Sequence, residues 1–477
     1  MRWRGRTRER FTGRLQRSAL LLSVVFVVLA GLGIAVLVWW VLWILLGAKA
    51  QTPDQVDLTK IALSVAAGVG GAVALVVAYR KQRDGERGRF VELFGAAARQ
   101  LGDADVAVRI AGVYAMAGVA DEFSAPSRRQ QCIDVLCGYL RLPYDPDSGA
   151  DHLAQRTETV EEAGVKRELR YQLRQNDREV RRTVVDVIVA HVRASAEVSW
   201  SQYNFDFSGA VLEDSDFRYA VFAGERTYFA RAVFTGNRAT TFEHARFLGQ
   251  YISFRRCVFR GDTTLFRDAE FAPAERAGAE LPGAGTRFEG AVFDSPVSFD
   301  RTVFRGPAAI FGDVAFTGDR TSFAGTVFRT ERTEFGGATF DGAAVRFEGA
   351  EFDSARISFT RARFYAVRVA FDGARFGVRS RWRRSPTLAV DFSAAEYHGA
   401  ISFDDTVFDG READFSDGDF FGEITFRRAR FESQRTRFDT PKAWVGVRVD
   451  WDVDPTYKPS RITPGTWPPA PAPPAAS

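Results

Sequence analysis

The chain has 477 residues, more than one compact core usually holds, so several segments with separate cores are expected. Its 26% charged and 46% hydrophobic residues are those of a folded chain, and Lys+Arg 64 against Asp+Glu 60 excludes a global nucleic-acid-binding charge. Three cysteines and four histidines supply neither a disulfide scaffold nor a zinc pattern, so no metal and no cofactor are expected, whereas 42 Phe beside 2 Met demand a repetitive place to sit.

A basic tail, 1–17, opens the chain with Arg2, Arg4, Arg6, Arg8, Arg10, Arg14 and Arg17 against Glu9 alone. An uncharged apolar run at 18–48 follows, with Trp39, Trp40 and Trp43 near its end. A second apolar segment, 57–80, contains an uncharged stretch from Ile61 to Tyr79 with Gly68, Gly70 and Gly71 at its centre. About 20 apolar residues cross a bilayer core, so both are expected as transmembrane helices. Basic flanks on both, Arg80 to Arg89 after the second, place the termini and the rest of the chain in the cytoplasm. The expected localisation is thus a two-span protein of the inner (plasma) membrane. A cleaved signal ending at Ala48-Lys49-Ala50 fits less well, because its apolar core exceeds the usual length of about 7 to 15 residues.

From 83 to 198 the periodicity predicts an α-helical connector. Phe90, Leu93, Phe94, Ala97 and Leu101 form one apolar face, closed by Gly102; Val106 to Met116 and Ile133 to Leu140 suggest two more helices, with Cys132 and Cys137 as small core residues. The highly charged stretch Gln155–Gln175 reads as a solvated helix or a linker. Val184, Val185, Val187, Ile188 and Val192 mark a last amphipathic helix, beside which His191 reads as structural. No nucleophile, base and orienting acid assemble here.

Repeats decide the remainder. Phe207, Leu212, Phe217 and Phe222 recur every five residues; from Phe229 the spacing alternates five and seven, as in Phe229/Phe234, Phe242/Phe247 and Phe254/Phe259, resuming from Phe311/Phe316 to Phe371/Phe376. Two positions before the first Phe of each pair stands a β-branched residue (Thr227, Thr240, Ile252, Val345), and before the second a small one (Ala232, Ala245, Cys257, Ala350). A helix recurs near 3.6 and a strand near 2, so neither gives this pattern. A coil turning a corner every five residues does, with each Phe inward and stacked on the Phe one coil above. The run resembles pentapeptide repeat proteins, and the resemblance implies four five-residue faces per turn of a right-handed quadrilateral β-helix. The twelve-residue spacing implies two faces plus a two-residue bulge, hence about 24 residues per turn, with Gly236-Asn237, Gly261-Asp262 and Gly318-Asp319 supplying turn chemistry at protruding corners. About nine coils at about 4.8 Å per layer give a rod of about 43 Å.

The expected fold class is therefore α+β multidomain: two transmembrane helices, an α-helical connector, and a pentapeptide repeat β-helix over 201–440. Two interruptions, Ala272 to Arg287 and Gly377 to Asp391, protrude as loops. The second carries Arg379, Arg381, Trp382, Arg383 and Arg384, the candidate interaction loop for an acidic partner, phosphate or lipid headgroup. The tail, 441–477, is Pro-rich and expected to be disordered, with Trp444, Trp451 and Trp467 placed to cap the open solenoid end.

The resemblance carries no catalytic residues. With no phosphate-binding glycine loop, no HExxH and no nucleophile elbow, and with His244 and His398 at outward repeat positions, the expectation is a non-enzyme. The first functional reading is a membrane-anchored scaffold or protein-protein interaction module, similar to membrane-anchored bacterial pentapeptide repeat proteins; its expected partners are the bilayer, a protein and further copies of itself, with no nucleic acid. The alternative is a DNA mimic that binds a topoisomerase such as DNA gyrase, as some members of that family do. It requires a strongly acidic face, yet Ser201 to Thr440 holds 35 Asp and Glu against 32 Arg, and the acidic run from Asp404 to Asp419 is local.

Overall fold

The structure is a computed structural model and describes residues 33, 36–37, 39–41, 43–44, 54–146, 155–162, 165–172, 176–273, 283–377 and 389–472. The chain divides into two compact units, Met1–Leu93 and Phe94–Ser477.

Helix α1 (Asp54–Leu101) is 48 residues long and begins in the first unit. Its apolar run does not end at Tyr79: Arg80, Lys81, Arg83, Asp84, Glu86, Arg87 and Arg89 continue the same helix at exposed positions. Among the described residues no helix is long and apolar enough to cross a membrane. This corrects the two expected transmembrane helices and, with them, the two-span inner-membrane localisation. The uncharged stretch at 61–79 is rich in glycine and alanine and leads into a charged continuation rather than forming a bounded apolar helix. Most of the expected first span, 18–48, lies outside the described residues.

In the second unit, α2 (Val106–Glu122), α3 (Pro126–Leu140) and α4 (Asp177–Val192) pack around Val113, Met116, Ile133, Leu136, Val184 and Ile188, all fully buried. Asp105 caps α2 by accepting the Ala107 N–H at 2.8 Å, and Pro126 opens α3, where its missing N–H costs nothing. A buried ionic cluster ties the three together. Arg109 of α2 donates to Asp177 of α4 at 2.9 Å, and Tyr139 of α3 donates to the same carboxylate at 2.5 Å. The charged stretch expected as a helix or linker is instead an antiparallel hairpin, β1 (Gln155–Glu162) with β2 (Val165–Gln172). Alternation of Thr157, Thr159 and Glu161 with a Lys166 directly across from Glu161 suits a two-stranded ribbon in water better than a helix.

From Phe205 the chain coils into a β-solenoid of parallel strands with a repeat of about 24 residues. One face is a ten-stranded ladder running from Val211–Glu213 to Ala443–Trp444, another a nine-stranded ladder from Thr240–Thr241 to Val447–Val449. Register pairs like with like: Phe259 with Phe234 and Phe293, Thr264 with Thr240 and Val297. The interior therefore holds four stacks of aromatic rings. Phe229, Phe254, Phe288, Phe311, Phe335 and Phe359 stack with centroids 4.8 Å apart and nearly parallel planes. Across each layer the stacks meet edge-on, as Phe229 meets Phe242 at 5.8 Å and 83°. The inward positions read from the sequence are those found.

Why a small residue precedes the second ring of each pair follows from the corner. Phe229-Ala230-Arg231-Ala232 closes a turn by the Ala232 N–H to Phe229 carbonyl bond at 2.8 Å, with its third residue left-handed (φ 59). The same position is left-handed in Tyr219, His244, Arg256, Asp268, Arg301, Arg361, Asp405 and Arg428. The slot beneath the turn is buried and takes small or short branched residues, such as Ala232, Cys257, Thr302 and Val314. At the longer corner the constraint is contact: a Cβ on Gly399 would lie 1.9 Å from the Ala366 carbonyl oxygen, and one on Gly422 2.0 Å from that of Gly399.

The helices cover the first turn. Gln130 of α3 is bidentate on the Asn204 backbone (2.8 and 2.9 Å), Arg141 pairs with Asp206 at 2.5 Å, and Arg178 of α4 pairs with Glu213 at 2.5 Å. Strand pairing also continues past Thr440 into the segment read as a Pro-rich tail. Ala443–Trp444 pairs with Asp419–Phe420, and Ile462–Thr463 with Thr436–Arg437. Trp444, Trp451 and Trp467 gather edge-on over Phe438 and Phe431 and close this end.

Two substitutions test this architecture in the intact chain. Phe335→Ala, in the middle of a fully buried stack, should cost about 3–5 kcal/mol in urea unfolding, and Phe335→Asp should abolish the cooperative transition; Arg332→Ala, on the surface, should change neither. Gly399→Ala should lower the melting temperature more than Ala400→Gly, because only the former drives a Cβ into a carbonyl; equal shifts would refute the close-contact account.

Candidate interaction surfaces

With rings and β-branched residues filling the interior, chemistry is confined to the outside. There the one-layer rise places outward side chains of successive turns within pairing distance. Arg301 donates to Asp268 through two bonds of 2.8 and 2.7 Å, Arg428 to Asp405 through two of 2.7 and 2.6 Å, and Arg246 to Glu270 at 2.9 Å. The acidic run expected near Asp404 is knitted in the same way: Asp404 accepts from Thr425 and the Arg427 N–H, Asp414 from Arg437, and Asp417 from Thr440. It is therefore a set of intercoil bonds more than a free anionic face.

The Arg379, Arg381, Trp382, Arg383 and Arg384 loop lies outside the described residues. Its roots do not: Phe376 precedes it, and Phe271 precedes the 274–282 excursion, both in one ring stack. Both interruptions thus leave from the same corner of the solenoid, four layers apart. His244 lies against Tyr219 with ring centroids 4.9 Å apart, and His398 stacks on Phe421 at 5.7 Å. His191 contacts the Val187 carbonyl at 2.6 Å and Asp121 at 3.1 Å, and stacks on Trp200, whose Nε1 donates to the same Asp121. That arrangement joins α2, α4 and the entry to the first turn, the structural role read for it. Burial pushes the Cys132 and Cys137 thiols up to about 12, leaving little thiolate at neutral pH.

Two outward features were not singled out from the sequence. One is an exposed apolar stripe, Tyr365, His398, Phe421 and Val445, each directly after the inward aromatic of its layer; Phe421 is 56% and Val445 54% exposed. In earlier turns the same position holds Thr235, Arg260, Asp294, Thr317 and Asp341, so the change from polar to apolar is visible once the register is known. The other is a concave site of about 400 Å³ bordered by Arg231, Arg255, Arg256 and Arg287 with Tyr228 and Tyr251. Its signal lay in Arg231 and Arg256, which occupy equivalent corner positions of consecutive turns.

The Arg301 guanidinium holds the Asp268 carboxyl below its usual range. A pKa lowered on folding means that the stability supplied by this pair is present above the ordinary carboxylate pKa and is lost as pH falls through the folded value. Arg301→Ala should return Asp268 to the ordinary range in a carboxyl-carbon NMR titration; an unmoved midpoint would refute the pairing.

No family model, no curated protein and no solved structure matches this chain.

Proposed function

We propose that the chain is a non-enzymatic interaction scaffold of the pentapeptide repeat kind, presenting proteins with a rigid ladder of side chains. The observation that carries this reading is the division of labour in the solenoid. Every inward position is taken by packing, so the outer faces alone remain to act, and they repeat at a fixed rise. The Tyr365, His398, Phe421 and Val445 stripe is the feature best suited to a protein partner, since exposed aromatics on a rigid backbone lose little conformational freedom on binding. Its aromatics are held in place by their own ladder: the Tyr365 hydroxyl donates to Glu396 at 2.5 Å, and His398 lies between Tyr365 and Phe421.

The DNA-mimic alternative is disfavoured by the pairing of surface acids with arginines of the next turn, which leaves no continuous anionic groove among the described residues. Crosslinking mass spectrometry of the intact chain in lysate of its source cells separates these readings. The expected result is a discrete protein partner crosslinked to one face of the rod and lost with Tyr365→Glu/Phe421→Glu or with deletion of 378–388. Recovery of a topoisomerase irrespective of both changes would replace the scaffold reading with mimicry, and crosslinks among copies of the chain alone would sink both.

A further inference from the structure

We propose that the arginine-bordered cleft between Arg231 and Arg287 binds a small phosphate-bearing anion of about nucleotide size. This goes beyond the scaffold reading and stands without it. The cleft's volume of about 400 Å³ falls within the roughly 300–1,000 Å³ of small-molecule sites.

The rod's own charge rule makes the cleft an exception. On the corner that follows the Phe266 stack, the left-handed position places opposite charges one above the other, as in Arg301 with Asp268 and Arg428 with Asp405. At the corner following Phe229 and Phe254 the same position holds Arg231 and then Arg256, one layer apart at about 4.8 Å. Among the described residues neither has an acidic partner, while Glu289 serves both Arg255 at 3.5 Å and Arg287 at 3.6 Å. Of the four guanidinium groups bordering the cleft, two thus share one carboxylate and two have none. Like charges stacked this closely oppose the fold, and a bridging anion converts that opposition into attraction.

The chemistry selects phosphate among anions. Arginine forks donate in pairs to the oxygens of a phosphate group, and two groups one layer apart suit adjacent phosphates. Tyr228 and Tyr251 border the same cleft, and aromatic side chains there suit a planar group attached to the phosphates.

Calorimetric titration of the intact chain at low ionic strength with inorganic pyrophosphate and with ATP tests the site. Saturable one-to-one binding is expected, weakened about tenfold or more in Arg231→Gln/Arg256→Gln and unchanged in Arg301→Gln. Tyr251→Ala distinguishes the sources: a loss confined to ATP assigns a nucleotide, and unaltered binding of both assigns the phosphates alone. Thermal unfolding gives a second readout. Without ligand, Arg231→Gln should melt higher than the parent at low salt and equal to it at high salt, and pyrophosphate should raise the parent's melting temperature but not the double variant's. Absence of saturable binding, equal binding by the double variant, or a parent melting temperature that ignores pyrophosphate would overturn the proposal.

Discussion

Aromatic rings stacked face to face from one turn to the next inside the solenoid sit between 4.5 and 5.5 Å apart, and parallel strands sit about 4.8 Å apart in the hydrogen-bonding direction. Because these spacings coincide, one displacement satisfies the backbone ladder and the ring stack together. Neither must stretch to accommodate the other. Four stacks meeting edge-on then fill the cross-section, which is why Tyr397 and Trp444 can replace Phe at stack positions while the aliphatics Leu212 and Val449 stand at the end layers. The rise set inside also sets the outside. Arginines and acids separated by one turn fall at bonding distance without any further adjustment of the backbone.

Such a rod is held by nearest-neighbour contacts, so its ends are its weak points. The two closures are built differently. At the start, Gln130 of α3 bonds the open backbone of the first turn and Arg178 of α4 pairs with Glu213, anchored by the buried Arg109, Asp177 and Tyr139 cluster behind them. At the other end three tryptophans cover the last rings, and Ala472 returns to bond the Pro441 carbonyl at 2.8 Å. Both leave the terminal strands paired or covered, which removes the templates on which edges aggregate.

The ring positions were legible in the sequence because Phe at spacings of five and seven has one geometric solution, and the β-branched and small slots two residues earlier fixed which side faced in. The left-handed corner was not, since Arg231, His244 and Asp268 at that position carry no common chemistry. The last layers were hidden because Trp444 and Ile462 abandon Phe, and proline around them reads as disorder. Membrane spans were read from uncharged length, clustered tryptophans and basic flanks, criteria blind to where a helix starts and stops; α1 runs through Tyr79 into a charged half. The arginine cleft needed register as well as sequence, because Arg231 and Arg287 are distant in the chain and become neighbours only after the layers are counted.

Phe271 stacks on Phe304 at 4.8 Å and Phe376 on Phe408 at 5.2 Å, although the chain makes an excursion of extra residues between the partners in both cases. The core therefore does not register how many residues depart at that corner, provided that they return to it. Loop closure grows more costly only logarithmically with length, so this corner behaves as an insertion port. Descent with variation can lengthen, shorten or replace what is grafted there while the rod keeps its pitch, and an engineer can do the same with a foreign peptide or a whole domain.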